Sequence, residues 1–249
     1  MDAIATYALR LGDDSLILGQ RLSEWCGHAP ALEVDLSLAN VALDQVGQAT
    51  HFLNLAGELE GEGRDGDALA FRRDVMDFTN CLLVEQPNGD FAQTIARQLL
   101  FSHYQELLFT ALAASKNATI AAIAAKAVKE TAYHATLASD WVIRLGDGTE
   151  ESKARMIAGL DWMWRFADEL FVMDDVDAAA ISAGVGVDKA ALRAAWDERI
   201  DATLADATLA RPAPRRATTG GRVGRHSEHL GHLLSEMQFL QRAYPGATW

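Results

Sequence analysis

The longest amphipathic pattern in the chain lies between Ala31 and Leu59. Apolar residues recur there at three- and four-residue steps, which is the period of a helix. These positions are Leu32, Leu36, Ala39, Leu43 and Val46, and Leu38, Val41 and Phe52 widen the apolar arc. Only a narrow polar line remains, made of Asn40, Asp44, Gly47 and His51. We therefore expect neighbouring helices to enclose this helix rather than leave it on the surface.

Gln45 is a polar residue on the apolar side of this helix. It lies seven residues after Leu38 and seven before Phe52. An unpaired buried amide costs about 1–3 kcal/mol, so the sequence predicts a hydrogen-bond partner for Gln45 inside the protein. Gln45 and Gln48 are three residues apart, which is the spacing of the Glu-x-x-His motif in carboxylate-bridged helical bundles. Here both positions carry amides.

The rest of the chain has the same helical character. Further helices are predicted at Ala3 to Trp25, with a candidate break at Gly12-Asp13-Asp14, and at Ala68 to Met76, Phe91 to Ala114, Ala118 to Leu145, Glu150 to Met173, Lys189 to Leu204 and Leu230 to Ala243. Asp90 is the expected N-cap of the helix that follows it. No strand-type alternation occurs. We predict an all-α helical bundle in a single domain over 1–249, with its core at about 3–174 and a C-terminal helical extension at about 175–249 packed on it.

Composition and charge exclude several classes of function. The 249 residues are 49% hydrophobic, and 22 basic against 35 acidic residues give a net charge of −13. That charge argues against general binding to nucleic acid or anionic membranes. Two cysteines cannot form a disulfide framework, the N-terminus has no signal-peptide pattern, and no apolar run approaches a membrane span. We expect a soluble cytoplasmic protein.

A di-iron site in a four-helix bundle uses Glu, Glu-x-x-His, a carboxylate and a second Glu-x-x-His. On this chain the series falls on Glu24, Gln45, Gln48, Ser102, Thr131 and His134. Only Glu24 and His134 keep ligand chemistry, and neutral side chains cannot balance the charge of two iron ions. We therefore predict no metal, no catalytic residue and no cofactor in this chain. In the simplest structural interpretation, Glu24 and His134 pair in the core or Glu24 binds Arg21.

Several segments give the chain a specific resemblance over nearly its whole length. They are LGQRLSEWCGHAP (18–30), LDQVGQA (43–49), LLVEQPNGDFAQTIARQ (82–98), KETAYH (129–134), HSEHLGHLLSEMQFLQR (226–242) and the final Gly246-Ala247-Thr248-Trp249. In these segments the chain resembles the PaaC-type subunits of the bacterial phenylacetyl-CoA epoxidase.

The resemblance implies a ferritin-like bundle and a supporting, metal-free role in a hetero-oligomer. It implies a homologous catalytic subunit that holds the di-iron site, binds the CoA thioester and inserts one oxygen atom of O2 into the aromatic ring. It also implies a reductase component that uses NADPH, flavin and an iron–sulfur cluster. These assignments concern the partners, and the chain itself would act in aerobic phenylacetate degradation without catalysing a step.

Two other metal sites remain open from the sequence. Glu130 and His134 are four residues apart, and Asp44, His51, His103 and Glu106 could complete a rearranged ligand set for an autonomous di-metal oxidoreductase. Near the C-terminus, His229, His232 and Glu236 share one helical face beside His226 and Glu228, and this spacing suits zinc. The competing interpretation is that these residues cap or line a helix near a partner.

A cluster of arginines is the candidate interaction surface. Arg211, Arg215, Arg216, Arg222 and Arg225 lie within fifteen residues of an otherwise acidic chain. Guanidinium groups bind carboxylates and phosphates well, so this loop could receive a partner's acidic residues or the phosphates of coenzyme A. The alternative is a solvated loop without a ligand.

Overall fold

The computed structural model describes residues 2–247, so Thr248 and Trp249 of the resemblance lie outside the described residues. The described part contains eleven α-helices and no strand, which confirms the all-α prediction. The helices are α1 (Ala3–Ser23), α2 (Leu32–Glu60), α3 (Gly66–Phe71), α4 (Leu82–Glu85), α5 (Phe91–Leu112), α6 (Ala118–Gly146), α7 (Glu150–Ala167), α8 (Asp175–Ser182), α9 (Arg193–Asp206), α10 (Glu228–Met237) and α11 (Phe239–Ala243).

Four long helices form the central bundle. Helices α1 and α2 make one antiparallel hairpin, and α5 and α6 make another, while α2 also packs on α6. A long crossover through α3 and α4 joins the two hairpins. Asp90 caps α5 by accepting a hydrogen bond from the backbone N–H of Gln93 at 2.9 Å, as the sequence predicted. This arrangement brings one face of each long helix to a common interior.

Helix α1 is continuous through Gly12-Asp13-Asp14, so the predicted break is wrong. A Cβ atom on Gly12 would lie only 2.7 Å from the side chain of Leu53, and the glycine therefore permits α1 and α2 to approach closely. Asp13 and Asp14 are buried rather than exposed at a turn. Their carboxylates form ion pairs with arginines from distant segments, which explains why acidic residues are tolerated inside a helix here.

The predicted enclosure of α2 is correct for only one of its faces. Val34, Leu38 and Val41 are buried, whereas Leu32, Leu36 and Leu43 are exposed. The three exposed leucines belong to the stripe from which the helix was predicted. The spacing therefore predicts the helix correctly, but the face that packs within this chain is the other one.

The remaining helices cover the bundle. Helix α7 packs on α5 and α6, α9 crosses the same two helices, and α8 and α10 pack on α1. Helices α4 and α8 were not predicted, and 3₁₀ segments replace the ends of several predicted helices, as at Asp168–Phe171 and Ala190–Leu192. No helix among the described residues is long and apolar enough to cross a membrane.

The buried apolar side chains make one continuous cluster. It runs from Tyr7 in α1 to Leu234 in α10 and includes the fully buried Trp196 of α9. The indole N–H of Trp196 donates to the backbone carbonyl of Leu100 at 2.9 Å, which fixes α9 on α5. The C-terminal helices therefore share the core of the long bundle.

Candidate functional site

Polar side chains from four helices meet at the middle of the bundle. Gln45 and Gln48 of α2 are both buried, as are Ser15 of α1 and Gln105 of α5. Ser15, Gln45 and Gln48 lie about half-way along their helices, and Gln105 lies beyond the midpoint of α5. This is the depth at which a metal-binding bundle would hold its ions.

The three glutamines form an amide network. Gln45 Nε2 donates to Gln105 Oε1 at 2.6 Å, and Gln105 Nε2 donates back to Gln45 Oε1 at 3.1 Å. Gln105 Nε2 also donates to Gln48 Oε1 at 3.1 Å and lies 3.4 Å from Ser15 Oγ. Gln48 Nε2 in turn donates to Glu130 of α6 at 3.0 Å. The partner predicted for Gln45 thus exists, and neutral amides connect all four helices.

His134 lies beside this amide network and binds a carboxylate. Its Nε2 is 2.9 Å from Asp44 Oδ2. Burial lowers the pKa of His134, although the hydrogen bond and charge of Asp44 oppose that shift. The imidazole is therefore neutral near pH 7 and donates through Nε2 to Asp44. Thr131 is turned back on its own helix, where its hydroxyl donates to the carbonyls of Ala127 and Val128.

Glu24 and Ser102 also lie outside the network. Glu24 follows the last residue of α1, its side chain is 39% exposed, and it pairs with Arg21 at 2.8 Å and accepts a hydrogen bond from Asn88. Ser102 is buried, but its hydroxyl makes no hydrogen bond within residues 2–247. The residues at these two places in the network are Ser15, nine residues before Glu24, and Gln105, three residues after Ser102.

Glu24 and Ser102 are the wrong positions because the axial register between the helices differs from the one the sequence predicts. Gln45 lies in the middle of α2, so an antiparallel neighbour must contribute from its own middle rather than from its C-terminal end. The sequence carried a usable signal for α5, because Gln105 lies among Phe101, Leu108 and Leu112 at steps of four, three and four residues. By the same reasoning as for Gln45, this position predicts a buried amide with an internal partner.

The residues of this site do not fit a di-iron centre. Two iron ions need several anionic oxygens and two imidazoles. The network offers three amides and a hydroxyl, and its nearest carboxylates, Glu130 and Asp44, are bound to Gln48 and His134. Amides and hydroxyls are weak, uncharged ligands, so this set cannot balance the charge of the metals.

The residues proposed for a rearranged metal site come together only in part: Asp44 and Glu130 lie near His134, whereas His103 and Glu106 are bound elsewhere. His103 Nε2 is 2.9 Å from Ser139 Oγ, and Glu106 pairs with Arg199 at 2.7 Å. His51 is exposed on α2. Within residues 2–247, no group of three or more histidine, cysteine or acidic side chains is arranged to hold a metal ion. The geometry therefore gives no support to an autonomous di-metal oxidoreductase.

His226, one of the C-terminal histidines, forms an ion pair within the fold. His226 Nδ1 is 2.7 Å from Glu85 Oε2, and its Nε2 is 2.8 Å from the carbonyl oxygen of Phe78. Both ring nitrogens face acceptors, which favours the protonated imidazole. Burial opposes that charge, but the hydrogen bond and charge of Glu85 raise the pKa of His226. His232 and Glu236 are exposed on α10 and His229 is half-buried there.

The arginine cluster divides into three groups. Arg222 is directed inward and forms a two-point ion pair with Asp14, at 3.0 and 2.7 Å. Arg211 pairs with Asp197 and Asp201, and Arg215 pairs with Asp161.

Only part of the cluster is free to meet a partner. The side chains of Arg216 and Arg225 are exposed and make no hydrogen bond or ion pair within residues 2–247. Glu169 anchors the end of this loop by accepting hydrogen bonds from the backbone N–H groups of Gly220 and Gly221 at 2.7 and 2.9 Å. Of the five arginines predicted as a contact surface, Arg222 is buried in its ion pair with Asp14, and Arg216 and Arg225 keep free charges among the described residues.

Comparison with known proteins agrees with this architecture. A family model described as phenylacetic acid catabolic protein matches residues 1–249. The chain is 51% identical over 249 residues to one of the subunits of the 1,2-phenylacetyl-CoA epoxidase of Escherichia coli (strain K12), and the match covers 100% of both chains. The resemblance noted in the sequence is thereby confirmed. A chain with helices in this order, matched from end to end, belongs to the phenylacetic acid catabolic protein family.

Proposed function

We propose that this chain is a structural subunit of a phenylacetyl-CoA epoxidase and that it holds no metal. The proposal rests above all on the amide network at the centre of the bundle, in a chain half identical to one component of such an enzyme. Gln45, Gln48 and Gln105 lie where oxygen-activating bundles carry carboxylates and histidines. The chain keeps the helical bundle, and hydrogen bonds between amides take the place of metal ligands at its centre.

The amide network supplies stability in place of reactivity. Each of its hydrogen bonds contributes about 0.5–1.5 kcal/mol net, and none of its groups can exchange electrons with O2. In this proposal a homologous subunit holds the di-iron site, binds the CoA thioester and transfers the oxygen atom. A reductase that uses NADPH, flavin and an iron–sulfur cluster supplies the electrons. The present chain supports the fold and position of the catalytic subunit.

Partner contacts of Arg216 and Arg225 belong to this proposal as well. Both guanidinium groups are exposed and suit the carboxylates of another component or the phosphates of coenzyme A. Location in the cytoplasm stays a prediction from the cysteine content.

Reconstitution with the partner subunit tests the proposed function. The chain and the homologous subunit from the same organism are purified separately and mixed with reductase, NADPH and O2. We expect epoxidation of phenylacetyl-CoA only when both subunits are present, with iron measured in the partner alone. Stoichiometric iron in the isolated chain, lost in the variants Glu130→Gln and His134→Gln, would instead favour an autonomous oxidoreductase.

A further inference from the structure

Helix α2 exposes an apolar stripe that no part of the described chain covers. Leu32, Leu36 and Leu43 are 71%, 56% and 69% exposed. Together with the half-buried Ala39 and Val46 they follow steps of four, three, four and three residues. That is the spacing by which one helix packs along another. We call these five residues the outer seam.

The opposite side of α2 carries a second series with the same spacing. This inner seam consists of Val34, Leu38, Val41, Gln45, Gln48 and Phe52, and all six are buried in the bundle. The two seams are offset by two residues, which places them about 200° apart around the helix. Helix α2 is therefore built to pack on both sides, and this chain occupies one of them.

We propose that the outer seam docks a helix of the homologous subunit, and that basic residues flank the apolar side chains of that helix. Charge selects this occupant over a second copy of the chain. Helix α2 contains no lysine or arginine, and the acidic residues within the length of the seam are Glu33, Asp35 and Asp44. A second copy with a net charge of −13 would bring like charges together along the seam, whereas a basic-flanked helix would neutralise them. The inference rests on the proposed function and adds the docking surface to it.

The outer seam leads directly to the amide network. Leu43 forms part of the wall of a cleft of about 120 Å³ between α2 and α6, which Asp44, Gln48 and Glu130 also line. Tyr133 of α6, 48% exposed, lies one helical turn beyond Glu130. A helix docked on the seam would cover this cleft and exclude water from the Asp44–His134 pair. The centre of the bundle and the docking surface are thus separated by a single helix.

Replacing two leucines of the seam tests the inference. The double variant Leu36→Gln/Leu43→Gln should keep the thermal stability of the isolated chain, because both side chains are already exposed. Its affinity for the homologous subunit, measured by titration calorimetry, should fall by at least about 30-fold, the effect of losing one strong interface contact. Ile157→Gln is the matched control, since Ile157 is 51% exposed on α7, and it should bind as the unmodified chain does.

Further variants and controls keep the test decisive. Leu36→Ala/Leu43→Ala retains strong helix formers and should also weaken binding if the glutamine variant folds poorly. Glu33→Lys should weaken binding more at low salt than at high salt, because it reverses a flanking charge.

The outcomes separate the two proposals. Unchanged affinity in both leucine variants would overturn the docking surface and leave the proposed function standing. No binding by the unmodified chain would overturn the proposed function itself. A dimer of the chain alone that is lost in the double variant would show that a second copy occupies the seam, which contradicts the inference.

Discussion

At the scale of single residues, the amide network should contribute measurably to stability. Gln105→Leu should destabilise the chain by about 3 kcal/mol. The leucine is similar in size, but it leaves both polar atoms of the Gln45 amide and the carbonyl of Gln48 without this partner. Urea denaturation followed by circular dichroism measures the loss. Gln20→Leu is the control, since Gln20 is half-buried on α1 and its side chain makes no hydrogen bond within residues 2–247. Equal stability of the two variants would show that the network contributes nothing.

The same network separates what the sequence predicts from what it does not. The position of Gln45 on an apolar face predicts an internal partner, and Gln105 provides it. Glu24 and Ser102 are the wrong neighbours, because the spacing within one helix says nothing about the axial register between helices. A local pattern thus identifies a buried polar residue, while its neighbours across the bundle follow from packing.

His103 should make stability depend on pH in the acidic range. Burial lowers the pKa of His103 to about 4, and the nearby charge of Arg199 acts in the same direction. The unfolded chain takes up this proton near pH 6.5, so the native state loses stability as the pH falls from there through 4. The loss from this group is about 3 kcal/mol.

The variant His103→Gln isolates this effect. Glutamine still reaches Ser139 with a hydrogen-bonding group but does not titrate. Urea denaturation at pH 7 and at pH 4 should show a smaller acid-induced loss in the variant than in the unmodified chain. The same loss in both proteins would mean that His103 keeps its ordinary pKa in the fold.

At the scale of helices, glycine has opposite effects at two positions. A Cβ atom on Gly159 of α7 would lie 2.8 Å from the Cα atom and 2.9 Å from the backbone nitrogen of Gln93 in α5. Gly47 of α2 has no neighbouring atom within 4 Å of the same point. Gly159 therefore allows α7 and α5 to contact each other closely. Gly47 lies at an exposed position in the middle of α2, where a side chain would meet no other atom.

Alanine substitutions should separate these roles. Gly159→Ala must push α7 away from α5 and should cost about 1–3 kcal/mol, as overpacking does. Gly47→Ala should stabilise by about 0.5–1 kcal/mol, because alanine is the better helix former. Thermal denaturation of the two variants measures both signs. Stabilisation by Gly159→Ala would mean that the two helices can separate without cost.

The helices also show why the apolar period predicts where a helix begins and ends better than it predicts which side of the helix is buried. The limits of α2, α5 and α6 agree with the predicted helices to within about two residues, because repeated apolar steps persist along them. Helices α4 and α8, of four and eight residues, are too short to show a period. Helix α2 carries two apolar series with the same spacing, and the spacing alone does not predict which of them is buried within this chain.

At the scale of the whole molecule, buried and part-buried ion pairs attach the last third of the chain to the first helix. Arg222 binds Asp14, and Arg10 binds Asp174 with distances of 2.8 and 2.6 Å. Lys189 binds Asp177 at 2.9 Å in the same region. The sequence separation of these partners reaches 208 residues, so no local pattern could have paired them. For this reason the sequence predicted a break at Gly12-Asp13-Asp14 and a surface position for Arg222.

Breaking the pair of Asp14 and Arg222 should be costly. Arg222→Met leaves a buried carboxylate without its counter-charge, and we expect a loss of about 3–5 kcal/mol. The double variant Asp14→Asn/Arg222→Met removes both charges and should recover part of that loss. Arg215→Met is the control, since its pair with Asp161 is at the surface and should change stability by less than about 1 kcal/mol. Additive losses in the double variant would contradict direct coupling.

The hydrogen-bonded glutamines have a consequence for how such a protein could be made in a cell. Gln45, Gln48 and Gln105 are completed by one another at the moment the helices meet. On the proposal that the chain holds no metal, its maturation would need no iron supply and no loading step, and a chelator would have nothing to withdraw from it. Under the same proposal the folded chain would be available before its catalytic partner, whose folding would depend on the supply of iron.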